Sequence, residues 1–162
     1  MNMVHTFAIC AYGESPYLEE CIQSLLNQKT ESKILIATST PNSQILEMGE
    51  KYDIPIFVNY LEKGLAGDWN FAYNCANTPL VTLAHQDDRY YENYTEDILT
   101  AAKKCRHPLI LFTDYNELRN GKTVTDNRLL KVKRLLLSPL KLPIFWKSRF
   151  IRRRILSIGS AI

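Results

Sequence analysis

The sequence predicts a three-layer α/β/α protein with a mostly parallel central sheet. Three observations carry this. Short apolar runs rich in β-formers alternate five times with stretches whose apolar residues recur at helical spacing, the order that builds βαβ units. The runs are continuously apolar rather than alternating, as in strands covered on both faces. One of them, Leu80-Val81-Thr82-Leu83-Ala84, runs directly into His85-Gln86-Asp87-Asp88. Polar side chains are thereby delivered to the carboxyl end of a buried strand, the edge at which open α/β sheets bind ligands.

Each element follows in order. Residues 4–10 read as the first strand and Ala11-Tyr12-Gly13-Glu14-Ser15-Pro16 as the turn into a helix. Ser15 can cap that helix, Pro16 fits its first position, and Glu19 and Glu20 complement its amino-terminal dipole. Leu18, Cys21, Ile22, Leu25 and Leu26 give it one apolar face. Residues 33–38 form a second strand, which Ser39-Thr40-Pro41-Asn42-Ser43 ends while capping a helix over 44–52. A short third strand covers 54–58. Gly64 and Gly67 then permit an unusual turn or close backbone approach, and Leu65, Trp69, Ala72, Tyr73 and Ala76 predict a helix from about Ala66. Its amino terminus would face the sheet edge and favour phosphate. After the central strand come a helix over 91–106, stopped by Pro108, a fifth strand over 109–113, and a hairpin over 114–124 turned by Asn120-Gly121.

The 162 residues, 46% hydrophobic and 23% charged, suit one globular body with a core that needs no staples, and exclude a disordered or fibrous chain. The four cysteines, Cys10, Cys21, Cys75 and Cys105, are widely spaced and form no zinc set, so they are expected as reduced thiols. His5 and His107 read as surface or satisfied histidines. No signal sequence opens the chain and no apolar run approaches the roughly 20 residues of a membrane span, so a cytoplasmic location is expected. The net charge of +3 conceals an asymmetry: all 17 acidic residues but only 10 of the 20 basic ones precede Arg128, a net of −7 there. This divides the chain into a body, 1–127, and a basic segment, 128–162.

Adjacent carboxylates repel each other and are costly to desolvate, so Asp87-Asp88 at a strand end needs open solvent or a cation. Mg²⁺ or Mn²⁺ takes one or two carboxylates and fills its shell with water and substrate phosphates. A metal-bound phosphate site is the resulting expectation.

At this point the pieces resemble the inverting glycosyltransferases of family 2, which have the GT-A (Rossmann-like) fold. The stretch from Phe7-Ala8-Ile9-Cys10-Ala11-Tyr12 through Leu25-Leu26-Asn27-Gln28 looks like that family's first strand and helix, and Gly64 through Asn70 is similar to its Gly-Leu-x-x-Ala-Arg-Asn segment. The family's Asp-x-Asp motif falls on His85-Gln86-Asp87, and the strand and hairpin from Leu109 to Val124 also match. The resemblance implies a nucleotide-diphosphate sugar, usually a UDP-sugar, as donor. Ala11, Tyr12 and Glu14 would line the nucleoside pocket with Thr38 and Ser39. Gly67, Asp68 and Asn70 would lie near the base, ribose and diphosphate, beside His85 and Gln86. Asp87, with His85, would coordinate Mn²⁺ or Mg²⁺.

Three departures from the family pattern qualify this. Ala37-Thr38 replaces an acidic pair at the end of the second strand, His85 replaces the first Asp of Asp-x-Asp, and no acidic residue follows Asp126 to serve as catalytic base. The chain accordingly reads as the donor-binding portion of a transferase, its base lying outside this stretch. From Arg128 to Arg154, Lys and Arg alternate with apolar blocks and with Phe145, Trp146 and Phe150, a composition that suits an amphipathic helix on an anionic membrane surface. A saccharide or lipid-linked acceptor, and a place in polysaccharide biosynthesis at the inner face of the membrane, would fit. The acidic body opposes nucleic-acid binding. The competing readings are a non-catalytic sugar-nucleotide or metal-binding module and a membrane-surface adaptor. A dinucleotide-binding oxidoreductase is disfavoured because the turn 11–16 lacks Gly-x-Gly-x-x-Gly.

Overall fold

The first strand, β1 (His5–Ala11), is buried at six of its seven positions because it has neighbours on both edges and helices on both faces. It pairs in parallel with β2 (Lys33–Thr38) on one side and β4 (Leu80–His85) on the other. The computed structural model describes residues 4–61, 64–105, 108–113, 115–119, 122–124 and 155–158. Beyond β2 lies β3 (Ile56–Val58), and beyond β4 lie β8 (Ile155–Ile158) and then β5 (Ile110–Phe112). The sheet order is β3-β2-β1-β4-β8-β5, and every pairing in it is parallel. A separate antiparallel pair, β6 (Glu117–Arg119) and β7 (Lys122–Val124), flanks Asn120-Gly121, residues that themselves lie outside those described.

The two faces of the sheet are covered unequally. Phe7, Ile9, Leu80 and Ala84 project into a core built with Leu18, Cys21, Ile22 and Leu25 of α1 (Leu18–Leu26), Ile45 and Met48 of α2 (Ser43–Lys51), and Tyr94 and Ile98 of α4 (Tyr94–Lys104). On the other face Ala8, Leu35, Ala37, Val81 and Leu83 meet Ala72 of α3 (Leu65–Cys75) and Ala76 just beyond it. This alternation along β1 and β4 is the period-2 geometry of a strand. The three-layer arrangement therefore stands as the sequence predicts.

Two expectations are corrected. α1 starts at Leu18 with Tyr17 as its N-cap and no side-chain cap, rather than at Pro16 under Ser15. Gln44 holds the Ser15 backbone, donating to its carbonyl (2.8 Å) and accepting from its N–H (2.9 Å), while Ser15 Oγ accepts from the Tyr17 N–H (3.3 Å) ahead of the helix. The chain then makes one more turn, closed by Leu18 N–H on the Ser15 carbonyl (3.3 Å), before helix begins. Second, residues 155–158, assigned from sequence to a basic helical segment, are a parallel strand between β4 and β5. The helical and membrane expectations for 128–154, and His107, fall outside the described residues.

His5 is a satisfied core histidine. Its Nδ1 pairs with Ser32 Oγ and its Nε2 with Thr82 Oγ1, both at 2.8 Å, and burial pushes its pKa down to about 3. Because the unfolded chain binds this proton near pH 6.5 and the folded one does not, stability is fully present above that pH and falls as the pH drops towards 3, by up to about 1.4 kcal/mol per unit. Urea unfolding at pH 7 and pH 4.5 should show this loss, and His5→Gln should shrink the difference between the two. Gly49 poses a steric constraint: a Cβ there would overlap Ile56 Cδ1 and lie 2.8 Å from Ile56 Cγ1 and 3.1 Å from the Ile54 carbonyl oxygen. Gly49→Ala should therefore destabilise by about 1–3 kcal/mol despite alanine's higher helix propensity, as a thermal melt would read.

Candidate functional site

Strand order reverses at β1. The chain moves outward from β1 to β2 and β3, then returns across the sheet to place β4 on the other side of β1. The carboxyl ends come level there, with Ala11 opposite Thr38, Thr38 opposite Val58, and Cys10 opposite His85. Such a switch point leaves a crevice between loops that depart in opposite directions.

The first loop is held on both sides. Gln86 donates from Nε2 to the Tyr12 carbonyl (2.8 Å) and accepts at Oε1 from the Tyr12 N–H (3.1 Å), so a side-chain amide continues the β1–β4 ladder past its last rung. Next, Gly13 adopts φ +62°, a left-handed conformation that favours glycine. Its N–H donates to Thr40 Oγ1 (2.7 Å) and its carbonyl accepts from Asn42 Nδ2 (2.9 Å). Asn42 also caps α2 by accepting from Ile45 N–H (2.9 Å), so the loops after β1 and β2 move as one piece. The Tyr12 ring stands 66% exposed over this frame, and Glu14 is exposed beside it.

Asp68 is the junction of three elements. It lies in the first turn of α3, whose N-cap Gly64 has φ +101° and offers no side-chain cap. The carboxylate accepts from Ser39 Oγ (3.0 Å) at the end of β2 and from Asn59 Nδ2 (2.9 Å) at the end of β3. Ser39 and Asn59 are both buried, and Asn59 N–H is itself fixed on the Thr38 carbonyl (2.7 Å). Two of the roughly four lone-pair sites of the carboxylate are thereby filled. Thr38 is buried, and its Oγ1 accepts from Thr40 N–H (3.0 Å). Ala11 is buried, Gly67 is half-buried and Asn70 is exposed.

Across the crevice, His85 meets Trp69 edge to face, ring centroids 5.2 Å apart. Asp87 is exposed in the turn closed by Asp88 N–H on the His85 carbonyl (3.2 Å). Among the described residues no group of three or more His, Cys, Asp or Glu is placed to hold a metal. His85 and Asp87, the residues expected to hold a cation, supply two side chains and do not amount to a cage for a resident ion. The cysteines add no soft ligand. Burial, then the Asp68 carboxylate, pushes the Cys10 thiol up to about 12, and burial with Asp88 and Asp87 raises Cys21 further, so both stay protonated. All four cysteines are free.

The structure thus brings Ala11, Tyr12, Glu14, Thr38, Ser39, Gly67, Asp68, Asn70, His85, Gln86 and Asp87 to one sheet edge. Within it, Thr38, Ser39 and Gln86 hold other parts of the site in place. Asn59 and Trp69 belong to it and were not singled out from sequence. Asn59 carried one signal, a polar residue directly after a short apolar strand.

Residues 6–158 match the family model described as Glycosyl transferase family 2. No curated protein matches the chain at a significant level. Among solved structures, the chain is similar to S. aureus TarS 1-349, with 20% identity and a TM-score of 0.60 over 76% of this chain and 39% of that one. The same fragment in complex with UDP-GlcNAc matches with 20% identity and a TM-score of 0.59, over 76% and 37%. Longer S. aureus TarS matches with 18% identity and a TM-score of 0.61, over 75% and 23%. At these identities the likeness establishes the fold, the GT-A (Rossmann-like) fold expected from sequence, and the chain spans well under half of each TarS chain it matches.

Removing the Asp68 carboxylate leaves a buried hydroxyl and a buried amide without this acceptor. Asp68→Ala should cost about 1–3 kcal/mol in urea unfolding, whereas Asp87→Ala, at an exposed turn, should stay within about 0.5 kcal/mol.

Proposed function

Because the chain belongs to glycosyl transferase family 2, we propose that the carboxyl edge of its sheet binds a nucleoside-diphosphate sugar and serves transfer of that sugar to an acceptor hydroxyl with inversion. The observation that carries this reading is the placement of two carboxylates at the switch point, Asp68 anchored at the β2 and β3 ends and Asp87 exposed at the end of β4. The UDP-GlcNAc complex of TarS supports a UDP-sugar as donor.

The residues take distinct parts. Tyr12 offers an exposed ring to the nucleobase, with Ala11 and Glu14 beside it. The lone pairs left on Asp68 accept from ribose hydroxyls. This supplies from α3 the carboxylate that Ala37-Thr38 does not provide at the end of β2. The open amino-terminal N–H groups of α3, near Gly67, suit phosphate, and Asn70 adds a polar group one turn on. His85 and Asp87 would hold Mn²⁺ or Mg²⁺ against the diphosphate. Bound there, the cation supplies Lewis-acid neutralisation of the departing nucleotide. A general base that deprotonates the acceptor hydroxyl, a step worth about 10² to 10⁴ in rate, completes the transfer. The acceptor is a saccharide or a lipid-linked one, and the basic residues 128–154 suit an anionic membrane surface that would present it. No described helix is long and apolar enough to cross a membrane.

A non-catalytic sugar-nucleotide-binding module is the second reading, favoured by His85 in place of a carboxylate. Both readings require the donor site. Calorimetric titration of UDP and UDP-GlcNAc, with and without Mn²⁺, should show manganese-dependent binding that Asp87→Ala weakens at least tenfold. Absence of binding by either nucleotide under both conditions would sink the donor assignment. Sugar transfer from UDP-GlcNAc to an added saccharide acceptor would decide against the module.

A further inference from the structure

A second concave feature lies off the donor crevice. Between the outer side of α1 and the segment 89–92 runs an open groove of about 320 Å³, lined by Glu20, Gln23, Asn27, Arg89, Tyr91 and Glu92 over a floor of Ser24 and Tyr90. We infer that this groove is a subsite for a neutral saccharide. That the sugar belongs to the acceptor rests on the transferase reading; that the groove takes a sugar does not.

Its lining selects the ligand class. Two carboxylates, two carboxamides and a guanidinium are planar groups that donate or accept pairs of hydrogen bonds, which suits the vicinal hydroxyls of a pyranose. No aliphatic side chain lines the groove, so an acyl chain or apolar peptide finds nothing to cover. The charges at the groove pair off, Glu20 with Arg89 (3.7 Å) and Glu92 with Lys29 (2.7 Å), so it offers no net charge to phosphate or other anions. The Tyr91 ring, 54% exposed, provides the apolar plate on which the C–H face of a sugar can rest.

The groove is also preorganised. Tyr90 N–H donates to Ser24 Oγ (3.0 Å), Gln28 Nε2 to the Tyr91 carbonyl (2.8 Å) and Lys29 N–H to the Glu92 carbonyl (2.8 Å). Asn116 Nδ2, next to β6, donates to the Tyr91 hydroxyl (3.1 Å) and fixes the far end of the ring. The backbone of the groove and its aromatic plate are therefore set before a ligand arrives, which leaves only the polar side chains to order. Polar capacity remains: Arg89 and Glu20 pair only at 3.7 Å with both side chains 54% exposed, and Asn27 is exposed. Arg89 directly follows Asp88, so the groove opens from the same loop that carries Asp87.

The test is amide chemical-shift perturbation of the full chain by a panel of neutral disaccharides at millimolar concentration. Saturable shifts at Asn27, Arg89 and Tyr91, with Kd on the order of 1 mM, are expected for at least one member. Tyr91→Ala should weaken them about tenfold, a loss of about 1.4 kcal/mol. Asn27→Ala, at the exposed C-cap of α1 where the backbone bond to Gln23 is kept, should also weaken them. Neither change should alter UDP binding. Shifts confined to 11–14 and 85–87, no binding by any sugar, or full binding by Asn27→Ala and Tyr91→Ala would overturn the assignment. UDP binding without sugar binding would remove the groove alone, and sugar binding without UDP binding would remove the donor reading alone.

Discussion

The central position of β1 is the constraint on which the remainder of the molecule depends. A strand with parallel neighbours on both edges must have one neighbour reached by moving outward and the other by coming back, and the return has to cross the sheet on the opposite face if the crossover is to stay right-handed. That requirement places α3, alone among the described helices, on its face, opposite α1 and α2. It also brings the first turn of α3 to the ends of β2 and β3, where Ser39 and Asn59 bind Asp68. The crevice, the carboxylate and the uncapped helix end are one consequence of a single reversal.

Hydrogen bonding at that edge is shared between two tasks. Thr38, Thr40, Asn42, Gln44 and Gln86 satisfy backbone groups of loops that have left the sheet and so lost their ladder partners. Buried backbone polar groups require such partners, and here side chains provide them. The groups left facing outward, Tyr12, Asn70 and Asp87, are those without such a structural duty. Chemistry and architecture are thus divided between neighbouring residues of the same loops.

Much of this was readable from sequence. The apolar runs of β1, β2 and β4 were legible because burial on both faces leaves little room for other residues, and Asp87 was legible because a strand pointed at it. What could not be read depended on distance along the chain. The bond from Ser39 to Asp68 spans 29 residues and that from Gln86 to Tyr12 spans 74, and no local pattern announces either. β8 escaped for a related reason: Ile155-Leu-Ser-Ile158 is too short to show a period, and its place between β4 and β5 is set by an open sheet edge far earlier in the chain. The misplaced start of α1 is the same lesson at short range, since Ser15 Oγ takes the Tyr17 N–H while Gln44, 29 residues on, holds the Ser15 backbone, and helix begins only at Leu18.

On the sheet face beneath α3, Ala8 and Ala37 sit among Leu35, Val81 and Leu83 and meet Ala72 and Ala76. On the opposite face, Phe, Ile, Leu and Tyr side chains can exchange volume among themselves, so neutral drift has many routes there. At the four alanines under α3 there is no methylene to trade. Any enlargement lifts the helix, and Asp68 and Trp69 travel with it. The evolutionary clock of the two faces should therefore run at different speeds, with the plainest residues in the chain changing most slowly.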